Sequence, residues 1–355
     1  MFDGGVLVSV IITNYNYERY LREAILSVLG QTYDNIETIV VDDGSSDGSR
    51  AIIEDYRDRA IVLLQENRGP TGAYNAGYAA SHGELIVFLD ADDMLQRNAV
   101  QEVVAAWQPA VAKVQFGLEI VDPIGRSASA IEPVYPRNYT PDKIRREFVE
   151  TSGYVWPPAS GNAFSRPFLA QVMPLSPERF RFADGALNTV APLFGDIQTL
   201  AEPLGFYRIH ANNLWALHRF SMARIRAYLT QRQSELQYLR ELAAQRGVAL
   251  APGDPLDHSL TFLRYRLIAA KLDERPGRPA DLVRVCLLAG RCLSRSDMPA
   301  LRRAVELLWF VLVSLSFGGV ARRLIEWRLD RSARPSWLAW LLRRSRSGSA
   351  AHRTG

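Results

Sequence analysis

Three carboxylates stand together in Asp90-Ala91-Asp92-Asp93, directly after an apolar run that predicts a buried strand. Carboxylate oxygens are preferred ligands of hard divalent cations such as Mn²⁺ and Mg²⁺, and these cations also bridge phosphate oxygens. The cluster therefore predicts a metal site that neutralises a diphosphate leaving group. The alternative is that Asp92 or Asp93 caps a helix beginning near Leu95, because acidic residues favour helix N-termini.

Two further polar segments have the composition of a nucleotide site. In Asp42-Asp43-Gly44-Ser45 a carboxylate can accept from a uracil-type ring N–H or a ribose hydroxyl, although this sequence is also a common turn. Arg68, with Gly69 and Gly72, opens a predicted helix whose N-terminal N–H groups suit an anion. Base-reading acids, a basic glycine loop and metal-binding acids thus follow one another, which favours a nucleotide-diphosphate site.

Alternating strands and helices must position these three clusters. Apolar, β-branched runs predict strands at 6–13, 36–41, 61–64 and 84–89, with helices between them. The alternation predicts an α/β fold with a doubly wound, mostly parallel sheet, in which ligands bind beyond the carboxyl ends of the strands. Six prolines within residues 122–160 predict a long active-site loop or lid.

The remainder of the chain predicts a helical C-terminal extension. We assign residues 1–215 to the nucleotide-binding domain, 216–300 to the helical extension, and 301–355 to an apolar helix with a basic, Trp-containing tail. Residues 307–321 carry no charge but fall short of the ~20 apolar residues of a spanning helix. They predict an in-plane or buried helix.

Charge is unevenly distributed along the 355 residues, whose net charge is +4. Residues 322–355 hold nine Arg against Glu326 and Asp330, interleaved with Trp, which is typical of a segment lying on an anionic membrane. The alternative is a core helix followed by a solvated tail. No basic patch elsewhere indicates a nucleic-acid partner. The N-terminus lacks a secretory signal pattern, so we expect a cytoplasmic protein, peripheral at the inner face of the cell membrane.

Two stretches carry a family resemblance: VSVIITNYNYERYLREAILSVLGQTYDNIETIVVDDGSSDGS and ENRGPTGAYNAGYAASHGELIVFLDADD. They resemble the nucleotide-binding half of glycosyltransferase family 2, closely over residues 6–93 and loosely from there to Asp184. The resemblance implies the A-type glycosyltransferase fold and inversion of the anomeric centre by direct displacement with Mn²⁺ or Mg²⁺. It also favours UDP over GDP as the donor nucleotide.

The resemblance implies roles for individual residues at the donor site. Thr13 and Tyr15 would line the nucleotide pocket, and Asp43 or its neighbour Asp42 would contact the base. Asp92 would be the principal metal contact. The residues implied to bind the donor are Thr13, Tyr15, Asp42, Asp43, Arg68, Gly72, Asp90 and Arg208, and those implied to bind the metal are Asp92, Asp93 and His210.

Inverting transfer also needs a general base, and a carboxylate on the far side of the sugar suits that task. We select Asp184, which follows Ala183 where the family commonly has Glu before Asp; the alternative is that Asp184 caps the helix predicted at 185–194. The segment 206–213 resembles the family's closing Tyr-Arg-x-His-x-x-Asn. Arg208 or His210 would there stabilise the leaving group.

Three hypotheses for function follow. The first is a glycosyltransferase that passes a sugar from a nucleotide-diphosphate donor to a glycan or lipid-linked acceptor in cell-surface polysaccharide synthesis. The second is a sugar nucleotidyltransferase, which is disfavoured because Asn14-Tyr15-Asn16-Tyr17 lacks the expected glycine run. The third is a non-catalytic nucleotide-sugar-binding scaffold, which the substitution at Ala183 supports.

Overall fold

The computed structural model describes residues 5–136, 138–210, 213, 221–273, 278–296 and 298–329. The chain divides into two compact units. Unit 1 comprises Met1–His210 and Ser234–Ala251, and unit 2 comprises Ala211–Gln233 and Pro252–Gly355. The division predicted from the sequence, at residues 215 and 300, stays a prediction.

Unit 1 is built on one sheet, with nine strands among the described residues. They are β1 (Val8–Asn14), β2 (Ile36–Asp42), β3 (Ile61–Leu64), β4 (Leu85–Asp90), β5 (Met94–Leu95), β6 (Val111–Val121), β7 (Ser127–Glu132), β8 (Asn162–Ser165) and β9 (Asp196–Arg208). The order is β3-β2-β1-β4-β8-β6-β9-β5, with β7 beside β6. The predicted α/β sheet is confirmed: its first four strands are parallel, and the strands beyond β4 make it mixed.

Seven helices of unit 1 lie between or beside these strands in the described chain. They are α1 (Glu18–Leu29), α2 (Ser49–Glu54), α3 (Gly69–Ala80), α4 (Ala99–Ala106), α5 (Pro141–Thr151), α6 (Arg166–Val172) and α7 (Ala183–Val190). Strands β1, β2 and β4 form because their Val, Ile and Leu side chains are buried on both faces, as in other parallel sheets. Ile12, for example, pairs in register with Val40 on one side and Leu89 on the other.

The register of the parallel strands fixes where the polar clusters meet. Asn14 pairs with Asp42, and Thr13 pairs with Asp90, so the ends of β1, β2 and β4 lie at one edge of the sheet. This edge is where an α/β sheet binds ligands.

The region 122–160 is more regular than its prolines predicted, since it contains β7 and α5. Pro141 occupies the first turn of α5. Backbone N–H groups there have no acceptor within the helix, so the N–H that proline lacks is not missed. The Thr140 side chain accepts from the Lys143 backbone N–H and caps the helix. The expectation of one long loop was wrong over 141–151, because this proline begins a helix instead of interrupting one. The role of the region as an active-site loop or lid stays a prediction.

The helical extension is confirmed. Its helices are α8 (Met222–Gln245), which continues into the part of the chain assigned to unit 1, and α9 (Leu260–Leu272), α10 (Pro279–Ser294), α11 (Ala300–Leu315) and α12 (Gly318–Leu329). The core of unit 2 includes Leu263 and Leu267 of α9 and Phe310 and Val313 of α11.

The apolar run at 307–321 does not form one helix. It is divided between α11 and α12, with Ser316 and Phe317 between them. Within the described ranges, no helix combines the length and apolar character needed to cross a membrane. The basic tail beyond Leu329 lies outside the described residues.

Candidate active site

The end of β2 is tied to the end of β1 by polar side chains. The Asn14 amide nitrogen donates to Asp42 Oδ1 at 3.0 Å and to Ser45 Oγ at 3.0 Å. Asp42 is fully buried, and its Oδ2 accepts from the Ser45 N–H at 3.1 Å and from Arg50 Nε at 3.1 Å. These contacts give Asp42 the turn-holding role that the sequence left open as an alternative.

Asp43 lies beside the loop that precedes α3. Its Oδ1 accepts from Gln65 Nε2 at 2.6 Å and from the Arg68 backbone N–H at 2.8 Å. The close approach of the two loops depends on Gly44. Its φ is +82°, and a Cβ at this position would lie 2.7 Å from the Asn67 nitrogen. The second and third sequence clusters therefore form one wall of the site.

The remaining residues implied at the donor site occupy the same edge of the sheet. Thr13 is half-buried at the end of β1, and Tyr15 follows it with 46% of its surface exposed. Arg68 is exposed and is the N-cap residue of α3. Gly72 is buried one turn later, where a Cβ would meet the Arg68 Cβ at 2.5 Å.

The acidic cluster forms at the end of β4. Asp90, Asp92 and Asp93 each present a carboxylate oxygen, and the three oxygens lie within 4.8 Å of one another. Burial raises the pKa of Asp90 and Asp93 well above the ordinary range, and the charge of Asp92 raises both further. Three carboxylates that repel one another, with Asp92 and Asp93 buried, fit a divalent cation, which takes oxygen ligands and removes the repulsion.

Asp93 is held in place by two donors that come from distant parts of the chain. Its Oδ2 accepts from the Ser160 hydroxyl at 2.6 Å, and its Oδ1 accepts from the Arg208 backbone N–H at 3.0 Å. Ser160 Oγ also accepts from the Asp90 N–H at 3.1 Å. Ser160 therefore orients two members of the cluster at once.

His210 lies at the cluster, as the closing segment implied. Its Nε2 is 2.9 Å from Asp92 Oδ2, and the side chain is buried. The imidazole stacks on Tyr20 with ring centroids 4.8 Å apart and meets the edge of Tyr17 at 5.7 Å. These rings fix His210 next to the carboxylate implied to be the principal metal contact.

Arg208 contacts the backbone of the acidic cluster. Its guanidinium is 1% exposed and donates to the backbone oxygens of Asp92, at 3.0 Å, and Pro123, at 3.2 Å. It also pairs with Glu23 and lies over the Tyr20 ring, 4.8 Å from the centroid. In this arrangement Arg208 stabilises the backbone that carries the carboxylates.

Asp184 lies close to the cluster although it is distant in sequence. Its charge contributes, after burial and Asp92, to the raised pKa of Asp90. It occupies the second position of α7, and the N-cap residue is Phe182, which makes no side-chain cap hydrogen bond. The helix begins at Ala183 instead of 185, so Asp184 lies in the first turn and the N-cap alternative was wrong.

Sequence reasoning missed a buried polar group that supports α7. Lys113 of β6 is 0% exposed and donates to Asn188 Oδ1 at 2.6 Å and to Asn162 Oδ1 at 3.0 Å. Its nitrogen lies 4.9 Å from the Tyr154 ring centroid, and burial holds its pKa well below the ordinary value. Asn188 is one helical turn after Asp184, so Lys113 anchors the helix that carries the candidate base.

Solved structures similar to this chain support the fold. The crystal structure of S. aureus TarS residues 1–349 matches with a TM-score of 0.53 at 19% identity over 91% of both chains. The same TarS fragment in complex with UDP matches with a TM-score of 0.52 at 18% identity, again over 91% of both chains. At this identity the likeness establishes the fold alone: the mixed α/β sheet of the A-type glycosyltransferases, followed by helices.

Sequence comparisons find glycosyltransferases among the relatives of this chain and a family model that matches its N-terminal part. An uncharacterized glycosyltransferase of Nostoc sp. is 39% identical over 213 residues, which cover 58% of this chain and 66% of that protein. An uncharacterized glycosyltransferase of Rickettsia prowazekii is 36% identical over 141 residues, which cover 39% of this chain and 44% of that protein. The chain thus spans about two thirds of the first relative and less than half of the second. Residues 9–159 match the model of glycosyl transferase family 2, and the N-terminal part of this chain is a member of that family.

Proposed function

We propose that this protein is an inverting, metal-dependent glycosyltransferase that moves a sugar from a nucleoside diphosphate to a hydroxyl group of a glycan or lipid-linked acceptor. The observation that carries the proposal is the cluster of Asp90, Asp92 and Asp93, with His210 against it and Asp184 nearby. A binding site for a neutral ligand would gain nothing from three carboxylates held so close together.

The donor nucleotide would lie along the ends of β1 and β2. Asp43 is the better candidate for the base contact, because Asp42 is fully buried and accepts three hydrogen bonds, from Asn14, Ser45 and Arg50. The exposed Arg68 and the first turn of α3 would face the diphosphate, where a cation and backbone N–H groups are favourable. We prefer UDP because the family resemblance favours it, and the TarS structure was solved in complex with UDP.

The candidate metal ligands are Asp92 and Asp93, with Asp90 or His210 completing the set. When bound, Mn²⁺ or Mg²⁺ would hold the diphosphate oxygens and neutralise the charge that develops on the leaving group. Ser160 and the Arg208 N–H keep Asp93 oriented, so the site is preorganised before the donor arrives.

Transfer would proceed by one displacement. The acceptor hydroxyl oxygen forms the new bond to the anomeric carbon while the bond from that carbon to the diphosphate oxygen breaks, and its electron pair leaves with the nucleotide. The Asp184 carboxylate takes the hydroxyl proton as the nucleophile attacks. Attack from the face opposite the leaving group inverts the anomeric centre.

The test is nucleoside diphosphate release from a panel of UDP- and GDP-sugars with Mn²⁺. We expect Asp184→Asn to lower turnover by about 10²- to 10⁴-fold, the range for loss of a general base. The matched control is Asp142→Asn, since Asp142 also occupies the second position of a helix, α5. If Asp184 only stabilised a helix N-terminus, the two variants would behave alike.

A nucleotide-sugar-binding scaffold is the second candidate, and Ala183 is the observation that favours it. Ala183 is buried where the resemblance leads us to expect Glu, so one acidic group of the family pattern is missing. Binding of a nucleotide sugar with metal, combined with no transfer to any acceptor and no dependence on Asp184, would favour the scaffold.

We also propose that the protein works at the inner face of the cell membrane, in the synthesis of a cell-surface polysaccharide. This rests on the Arg- and Trp-rich sequence of residues 322–355, which combines basic and amphipathic side chains. A membrane position would bring the donor site close to a lipid-linked acceptor. Fractionation of cells expressing the chain, with a salt wash of the membranes, tests this position.

A further inference from the structure

The outer face of α11 is apolar except at Arg302. Arg302 is the one polar residue among the exposed positions of this helix, all of which the structure describes. The apolar ones recur at helical spacing and are Ala300, Leu301, Ala304, Leu307, Leu308, Val311, Leu312 and Leu315. The inner face packs Trp309, Phe310 and Val313 into the core of unit 2. A helix at the surface of a globular unit ordinarily turns a polar face to water, so the apolar outer face of α11 is unusual for a water-exposed surface.

Neighbouring residues of unit 2 extend this surface. Phe317 and Val320, just after α11, are 82% and 62% exposed. On α10, Gly290 approaches α11, since a Cβ there would lie 3.8 Å from Leu307, and Leu287 one turn earlier is 63% exposed. We call Leu287, Phe317, Val320 and the exposed apolar residues of α11 the apolar face. Contiguous apolar surfaces of this kind mark interaction sites.

The net charge of unit 2 favours an anionic partner. Unit 2 has 23 Lys and Arg against 9 Asp and Glu, a net charge of +14, whereas unit 1 has 19 against 29, a net charge of −10. Among the described residues, Arg302, Arg322 and Arg323 are exposed within or just after the segment that forms the apolar face. A second copy docking through this face would bring two units of +14 together. An anionic surface is attracted instead.

We propose that the apolar face inserts among the lipids of an anionic bilayer, with basic side chains of unit 2 contacting the headgroups. An apolar surface set in a strongly basic unit is the composition of an interfacial membrane contact. The inference rests on the proposed membrane position and assigns the contact to α11 in addition to the tail. It does not depend on the donor site.

The experiment is co-sedimentation of the full chain with vesicles of phosphatidylcholine, alone or mixed with phosphatidylglycerol. We expect binding to the mixed vesicles only, weakened by salt. The double substitution Leu308→Glu/Leu312→Glu should lower the partition coefficient by roughly a hundredfold, because two leucines no longer leave water. The matched control is Leu64→Glu/Val149→Glu, which adds the same charges at exposed positions of unit 1 and should change binding little.

Unchanged binding of the Leu308→Glu/Leu312→Glu protein would overturn the proposal and leave the tail as the contact. Absence of native binding to phosphatidylglycerol vesicles would also overturn it. Light scattering after size exclusion examines the remaining occupant: a native dimer that the double substitution converts to monomer would assign the face to a second copy. UDP binding measured on the same variants keeps a failure here distinct from a failure of the donor site.

Discussion

Lys113 illustrates how a buried residue far from the reacting groups can set their geometry. Its side-chain nitrogen donates to Asn162, two residues after Ser160, and to Asn188 on the helix that bears Asp184. A lysine is costly to bury, since water solvates its charged form far better than the protein interior does. The two hydrogen bonds offset part of that cost and fix β8 and α7 against β6.

Lys113→Met should impair turnover more than donor binding. Removing the donor leaves two buried asparagine oxygens without a partner, which costs about 1–3 kcal/mol each and loosens α7. We expect kcat to fall with little change in KM for the donor, together with a lower melting temperature. Lys143→Met, at an exposed position of α5, serves as the control. Equal loss of donor binding and turnover would contradict a positioning role.

Ser160→Ala should weaken metal binding without unfolding the protein. The Ser160 hydroxyl donates to Asp93 and accepts from the Asp90 N–H, so its loss frees two parts of the cluster. Loss of such a supporting contact lowers metal affinity by roughly 10- to 100-fold. Titration with Mn²⁺ by calorimetry measures the change. The control is Ser165→Ala: Ser165 is also buried, but it pairs with Leu85 at the start of β4, away from the cluster, so the affinity should stay near the native value.

At the scale of elements, the parallel strands could be predicted from the sequence because the pattern that forms each strand lies within a few consecutive residues. Strands β1, β2 and β4 are rich in Val, Ile and Leu, and each ends in a polar residue that the sequence marks. The pairing of β6 with β8 and β9 depends on contacts between distant segments, which no local pattern reports. Ser160 and Lys113 were missed for that reason, whereas His210 was found only through the family resemblance.

Glu306 of α11 is a buried acid that forms ion pairs with arginines of α9 and α12, and it predicts that the stability of unit 2 depends on pH. Burial raises the pKa of Glu306, but Arg328 at 2.6 Å and Arg264 at 3.2 Å outweigh it, so the pKa lies below the ordinary value. A lowered pKa contributes stability that is present at neutral pH and is lost as the pH falls through it.

Unit 2 should therefore become less stable as the pH falls below 4.5, the ordinary pKa of a glutamic acid. The Glu306→Gln protein should be less stable than the native protein at neutral pH, and its melting temperature should fall less as the pH is lowered. Circular dichroism melting between neutral and acidic pH follows both proteins. Parallel curves for the two proteins would mean that Glu306 makes no pH-dependent contribution.

For the whole molecule, the sequence total of +4 conceals two units of opposite charge. The basic tail could be predicted from the sequence, but the division into an acidic and a basic unit could not. Residues 234–251 belong to unit 1, and only the fold reveals that. The acidic unit carries the candidate donor site, where a negative net charge would repel a nucleotide diphosphate. A cation held by Asp90, Asp92 and Asp93, as we propose, would reverse that repulsion locally.

Donor binding should therefore stabilise the protein only when metal is present. A ligand at 100 times its Kd adds about 2.7 kcal/mol to the free energy of unfolding. We expect UDP with Mn²⁺ to raise the melting temperature, and UDP with EDTA or Mn²⁺ alone to raise it much less. A shift with UDP that is independent of metal would separate the nucleotide site from the acidic cluster.

Calorimetric titration of the native chain with UDP and with GDP, each with and without Mn²⁺, tests the central claim most directly. The account predicts metal-dependent binding of UDP that Asp92→Ala abolishes and Asp184→Asn preserves, because the first residue belongs to the metal site and the second to the acceptor side. Failure of both nucleotides to bind the native protein in the presence of Mn²⁺ would contradict it.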